Sequence, residues 1–143
     1  MSTITAEEFF RLYEQVNNDF DVQLISNLYA DIFMFASPQG AQAVKKEDFV
    51  KILPRRKEFM KAAGLMSSRV DSIEATTLDS KYVLVKTVWN MRIQAPNGDE
   101  VTRKTSATYI LSTTQDSFEI VFQVDHQDLA KTVQDLRSSP KQS

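Results

Sequence analysis

Apolar positions recur with two different periods along the chain, and the change of period divides it. In the first half they are spaced as on a helix. Thr5 and Glu8 form a capping-box pattern, and Ala6, Phe9, Tyr13 and Val16 then share one face. "NNDFD" interrupts this helix. Asp19 or Asp21 can cap a shorter second one with Leu24, Ile25, Leu28 and Tyr29 as its stripe. "DIFMFAS" reads as a short buried strand that stops at Ser37-Pro38, and "PQG" invites a turn. From Lys45 to Ala63 helical spacing returns, with Phe49, Ile52, Leu53, Phe59, Met60 and Ala63 on one arc. Pro54 lies inside that helix, so a kink or a break is expected there. Gly64 suits its C-terminal cap.

The second half is rich in Val, Ile, Thr, Tyr and Phe with alternating polarity. Strands are predicted near 67–78, 81–95, 99–114 and 117–125. Asp79-Ser80, Asn97-Gly98 and Gln115-Asp116 mark the turns, and links this short imply an antiparallel meander. "HQDLAKTVQDLR" then reads as a short amphipathic C-terminal helix carrying Leu129, Val133 and Leu136. The expected organisation is a single domain over 1–137 with a frayed tail over 138–143. Helices followed by strands give an α+β fold. A strongly curved antiparallel sheet wrapped by the N-terminal helices leaves a cone with an internal pocket, where a small ligand would sit.

Composition narrows the chemistry. A chain of 143 residues, 42% hydrophobic and 25% charged, suits one folded core. A net charge of −2 argues against sequence-independent nucleic-acid binding. Without cysteine there are no disulfides, thiolate nucleophiles or cysteine-based metal sites, and one histidine cannot build a histidine-rich one. No metal or cofactor is expected. No apolar run has the length of a signal peptide or a membrane span, so a cytoplasmic protein is expected.

Few residues stand out as chemical candidates. Arg56 falls in the middle of the apolar arc of the third helix. It is either a pocket cation for an acidic ligand or an arginine whose head snorkels to water. Tyr13 is a core tyrosine or a pocket donor. Trp89 is in phase with Val83, Val85, Thr87, Met91 and Ile93, and Tyr109 with Val101, Thr105, Ala107 and Leu111. Both rows face inward, as core or as ligand walls. Asp125, His126 and Asp128 cluster where the last strand meets the last helix. Asp125 either caps that helix or, with His126, supplies a general acid or base at the mouth of the cone. Strict alternation places His126 in phase with Phe118, Ile120, Phe122 and Val124.

"LYADIFMFASPQG" (Leu28–Gly40) and "IVFQVDHQDLAKTVQDL" (Ile120–Leu136) resemble the second helix with first strand, and the last strand with its helical ending, of the nuclear transport factor 2-like superfamily. That group holds ketosteroid isomerases, polyketide cyclases and scytalone dehydratase. The resemblance implies the cone fold, a ligand pocket and a homodimer paired through the outer sheet face. Tyr13 stands near the oxyanion-donating tyrosine of the isomerases, and Asp125 near the late acid of the cyclases. Ser37 replaces the catalytic aspartate that those isomerases carry before the strand's proline. The functional expectation is a dimeric small-molecule-binding domain of undetermined ligand, with Tyr13, Arg56, Trp89, Tyr109 and His126 as ligand contacts. An isomerase, cyclase or dehydratase using Asp125, His126 or Tyr13 is the alternative. A protein-interaction module with a filled cone is the third reading.

Overall fold

The computed structural model describes residues 4–128 and 131. Of the predicted C-terminal helix, His126, Gln127 and Asp128 are not helical and Lys131 is, while its other residues and the tail over 138–143 lie outside the described residues. The elements run α1 (Ala6–Asp19), α2 (Val22–Ser26), β1 (Tyr29–Ser37), β2 (Gly40–Lys45), α3 (Lys46–Ala62), β3 (Leu65–Thr77), β4 (Tyr82–Gln94), β5 (Glu100–Thr113) and β6 (Phe118–Asp125). The strands form one six-stranded sheet in the order β2-β1-β6-β5-β4-β3. The sheet is curved and unclosed, and the helices cover its concave face.

The N-terminal helix forms where the capping box places it. Thr5 Oγ1 accepts from the Glu8 amide at 3.1 Å, and the Glu8 carboxylate accepts from the Thr5 amide at 2.8 Å. Phe9, Phe10, Tyr13 and Val16 are buried under it. Asp21 is the residue that caps α2, accepting from the Leu24 amide at 3.1 Å. The meander β3–β6 matches its predicted limits to within two residues. β2 is not among the elements that the sequence predicts. Pro38-Gln39 is a two-residue hairpin loop, with Ser37 opposite Gly40 and Gly40 at φ 134°, so the chain turns back and pairs before α3 begins. Tyr29–Ala36 of β1 also pairs, in parallel, with β6.

Two departures from regular geometry shape the interior. Helix α3 runs unbroken through Pro54. Pro54 is exposed, so the carbonyl it leaves without a helical donor lies on the wet side of the helix. In β6, Ile110 pairs with Phe122 but Leu111 pairs with Ile120, leaving Val121 as an extra residue. A bulge of this kind reverses which side chains face inward beyond it. Ile120 is inward and fully buried, and after the bulge Gln123 and Asp125 take the inward positions.

The outer edge of the sheet at β3 is tied down by α1. Asn18 Nδ2 donates to the Ser68 carbonyl at 2.8 Å and Asn18 Oδ1 accepts from the Ser68 amide at 3.1 Å. Glu14 accepts from the Val70 amide at 2.8 Å, and Arg11 donates to the Val70 carbonyl at 3.0 Å. Side chains on one helix thus occupy backbone groups that a further strand would use.

Candidate functional site

A cavity of about 720 Å³ lies between α1, α3 and the concave sheet face. Tyr13 reaches it from α1, Trp89 from β4, Tyr109 from β5, and Gln123 and Asp125 from β6. Small residues keep it open, since Thr105 and Ala107 occupy the row beside Trp89 and Tyr109. Trp89 is held in place from below. Its Nε1 donates to Thr87 Oγ1 at 2.8 Å, and that hydroxyl donates to the Ala107 carbonyl at 2.8 Å.

The polar groups form a single chain of hydrogen bonds. Tyr109 donates to the Tyr13 hydroxyl at 3.4 Å, the Tyr13 and Tyr29 hydroxyls are 3.2 Å apart, and Tyr29 donates to Gln123 Oε1 at 2.7 Å. Gln123 Nε2 then donates to Asp125 Oδ1 at 3.0 Å. An amide oxygen can only accept, so the Tyr29 proton is committed to Gln123 and Tyr13 must be the donor toward Tyr29. Every proton in the chain therefore points toward Asp125. Burial pushes the Tyr13, Tyr29 and Tyr109 hydroxyls above the ordinary tyrosine value, the latter two well above it. Burial also raises the Asp125 carboxyl, against the opposing effects of the Gln123 hydrogen bond and of the Arg56 and His126 charges.

Arg56 does not fill the apolar arc on which the sequence placed it. It is exposed, as are Ile52 and Phe59, while only Leu53 and Met60 of α3 are buried. The arc divides: Phe49 and Leu53 pack against the main core and Met60 against Met91 and Ile93, while Arg56 between them borders open space. A second cavity of about 450 Å³ lies on the far side, lined by Phe35, Ile52, Arg55 and Phe59. Arg56, Met60 and Asp125 line both cavities and form the waist between them. Lys57 and Lys61 add two further cations to the α3 side of the larger cavity.

His126 lies elsewhere. It is exposed, lines neither cavity, and its Nε2 is 2.8 Å from Thr108 Oγ1. The Val121 bulge is the reason: unbroken alternation would have turned His126 inward. Asp125 does not cap a following helix, because its carboxyl faces the cavities. Asp128 accepts from the Lys131 amide at 3.0 Å. Ser37 is spent locally, accepting from the Gln39 amide at 3.2 Å. Gln123 and Tyr29 were not singled out from the sequence. The available signal was "QVD", two polar residues two apart at the end of a strand whose only other polar residue is Glu119. Among the described residues no three His, Asp or Glu side chains cluster to hold a metal, and no helix is long and apolar enough to cross a membrane.

The chain matches, over residues 3–128, the family described as NTF2-like protein (DUF6841). It belongs to that family. Similar solved structures carry the same fold at low identity. An NTF2-like protein with a cystatin-like fold from Novosphingobium aromaticivorans is 10% identical with a TM-score of 0.69, covering 88% of this chain and 84% of that one. The beta subunit of the benzoate 1,2-dioxygenase from Burkholderia mallei is 14% identical with a TM-score of 0.69, covering 92% and 95%. A ketosteroid isomerase-like protein from Erwinia carotovora atroseptica is 12% identical with a TM-score of 0.62, covering 85% and 92%. No curated protein sequence matches the chain. At these identities the likeness to this NTF2-like chain is one of fold, and the chemistry must be argued from its own residues.

Proposed function

We propose that this NTF2-like chain binds a small molecule with an apolar, ring-sized body and a polar or acidic group. The observation that carries this is the large cavity into which an aromatic wall and one terminated polar chain converge. Trp89, Tyr109 and Met91 offer apolar surface, while Gln123 and Asp125 fix the polar end. Arg56, Lys57 and Lys61 at the same cavity favour an acidic substituent. A catalytic reading of the isomerase, cyclase or dehydratase kind is the second reading. It rests on Asp125, a carboxyl whose affinity for a proton is raised by burial and which lies at the waist of the site, as proton transfer requires.

One probe separates the readings. Trp89 is the sole tryptophan and lines the cavity, so its fluorescence reports occupancy. 2-Tetralone, a bicyclic ketone of cavity size, should quench it saturably, and Ala107→Phe, which fills the cavity, should weaken the binding. An unsaturable signal, or one indifferent to Ala107→Phe, would remove the ligand reading. In D2O, exchange of the ketone's α-protons that is faster with the wild type than with Asp125→Ala would favour the enzyme. Equal rates would leave a binder.

A homodimer through the outer sheet face is part of the proposal. Leu84, Ile110, Phe122 and Met34 lie in register across β4, β5, β6 and β1, giving an apolar row that crosses four strands. Each is only partly covered within one chain. The wild type is expected to sediment as a dimer at micromolar concentration, and Phe122→Asp as a monomer that keeps its circular dichroism. A monomeric wild type sinks the dimer.

A further inference from the structure

The hydrogen-bond chain has a direction, and one residue sets it. Gln123 is the only member that offers a donor on one side and an acceptor on the other without a rotatable proton. With Asp125 ionised, the amide must turn its N–H toward the carboxylate and its oxygen toward Tyr29. That orientation draws the Tyr29, Tyr13 and Tyr109 protons toward Asp125 in turn. Tyr109 then has no proton left for the cavity and presents only its oxygen.

A protonated Asp125 removes the reason for this order. Its O–H can donate to the amide oxygen, the amide can turn over, and its N–H can then donate to Tyr29. Tyr29 would donate to Tyr13 and Tyr13 to Tyr109, leaving the Tyr109 O–H free to donate into the cavity. No proton passes between residues beyond the one taken up by Asp125; three hydroxyls and one amide rotate. We propose that Gln123 is the specificity-determining residue of the cavity, reversing the tyrosine chain so that Tyr109 accepts from a ligand when Asp125 is ionised and donates to it when Asp125 is neutral. The cavity would thus select hydroxyl-bearing ligands in one state and acceptor-only ligands, such as ethers or ketones, in the other. The ligand half of this inference rests on the cavity being a binding site; the reversal does not.

Other charges bear on the titration. Arg56 faces Asp125 from α3, and His126 follows it on the strand. Arg55 and Asp128 line the smaller cavity with it. Glu14 of α1 and Lys57 and Lys61 of α3 line the larger one. None of these belongs to the hydrogen-bond chain, so they can move the midpoint of Asp125 without setting the direction of the chain.

The test is an NMR titration with 13C at the tyrosine Cζ and aspartate Cγ positions. In the wild type the Cζ signals of Tyr29, Tyr13 and Tyr109 should all shift with the midpoint of Asp125. Gln123→Leu leaves the charge of Asp125 in place but cuts the chain, so the amplitude at Tyr109 should fall by more than half. Tyrosine signals that ignore Asp125 in the wild type, or that follow it equally in a folded Gln123→Leu, overturn the reversal. In parallel, the affinity ratio of 2-naphthol to 2-methoxynaphthalene should fall as pH drops through that midpoint in the wild type and stay level in the variant. A level ratio in the wild type overturns the selection. If neither compound binds, the ligand reading fails and the NMR titration alone decides the reversal.

Discussion

Replacing Phe10 by alanine should lower the free energy of unfolding by about 3–5 kcal/mol, the range for deleting a buried phenylalanine ring. Phe10 is fully buried and touches three other rings. Its centroid is 5.2 Å from Phe9, 5.5 Å from Tyr13 and 4.7 Å from Tyr109. Two of those neighbours carry hydroxyls of the polar chain, so the loss is not confined to packing. The void left behind adjoins a cavity that is already open, and little around it can collapse to fill it. Urea denaturation should show a lower midpoint with an unchanged slope. A midpoint within about 0.5 kcal/mol of wild type, the range of surface substitutions, would mean that α1 is not anchored by this ring.

Tyr29→Phe should cost about 1–3 kcal/mol, the desolvation penalty of a buried polar group left without its partner. The substitution removes only an oxygen and its proton, so the ring contacts with Phe33 and Phe49, at 4.6 and 4.8 Å, survive. What it leaves is an acceptor on Gln123 with no donor and a Tyr13 proton with no acceptor along the chain. The Tyr13 proton becomes available to the cavity, so the variant should lose stability while an acceptor ligand such as 2-tetralone binds more tightly. Denaturation and Trp89 quenching measured on the same protein check both halves. Unchanged stability would show that water already serves these groups.

Most of the fold was legible because it depends on local signals. The capping box at Thr5–Glu8, the alternation of Val85 to Ile93 and the Asn97-Gly98 turn each act over a few residues, and each is realised. β2 was missed because Ala41, Gln42 and Ala43 have little strand propensity of their own, and pairing with β1 decides their state. The inward rows that carry Trp89 and Tyr109 were readable from period two. The inward facing of Gln123 and Asp125 on β6 was not, although Asp125 itself stood among the candidates. Alternation fails wherever one extra residue enters a strand, and nothing in "EIVFQVD" marks Val121 as that residue. A single bulge therefore exchanged His126 for Asp125. Arg56 was legible as a direction only: a helical wheel tells which way a side chain points, not whether anything stands there to cover it.

The sheet edge at β3 is closed by side chains of α1 rather than by a strand, and Tyr13 sits on that same helix between Arg11 and Glu14. Guarding the edge and roofing the cavity are therefore one event. A chain in which α1 has lifted away would open its interior to solvent and offer an unpaired strand to its neighbours at the same moment. Any molecule that holds Tyr13 down from inside the cavity would also act, at a distance, as a guard against self-association.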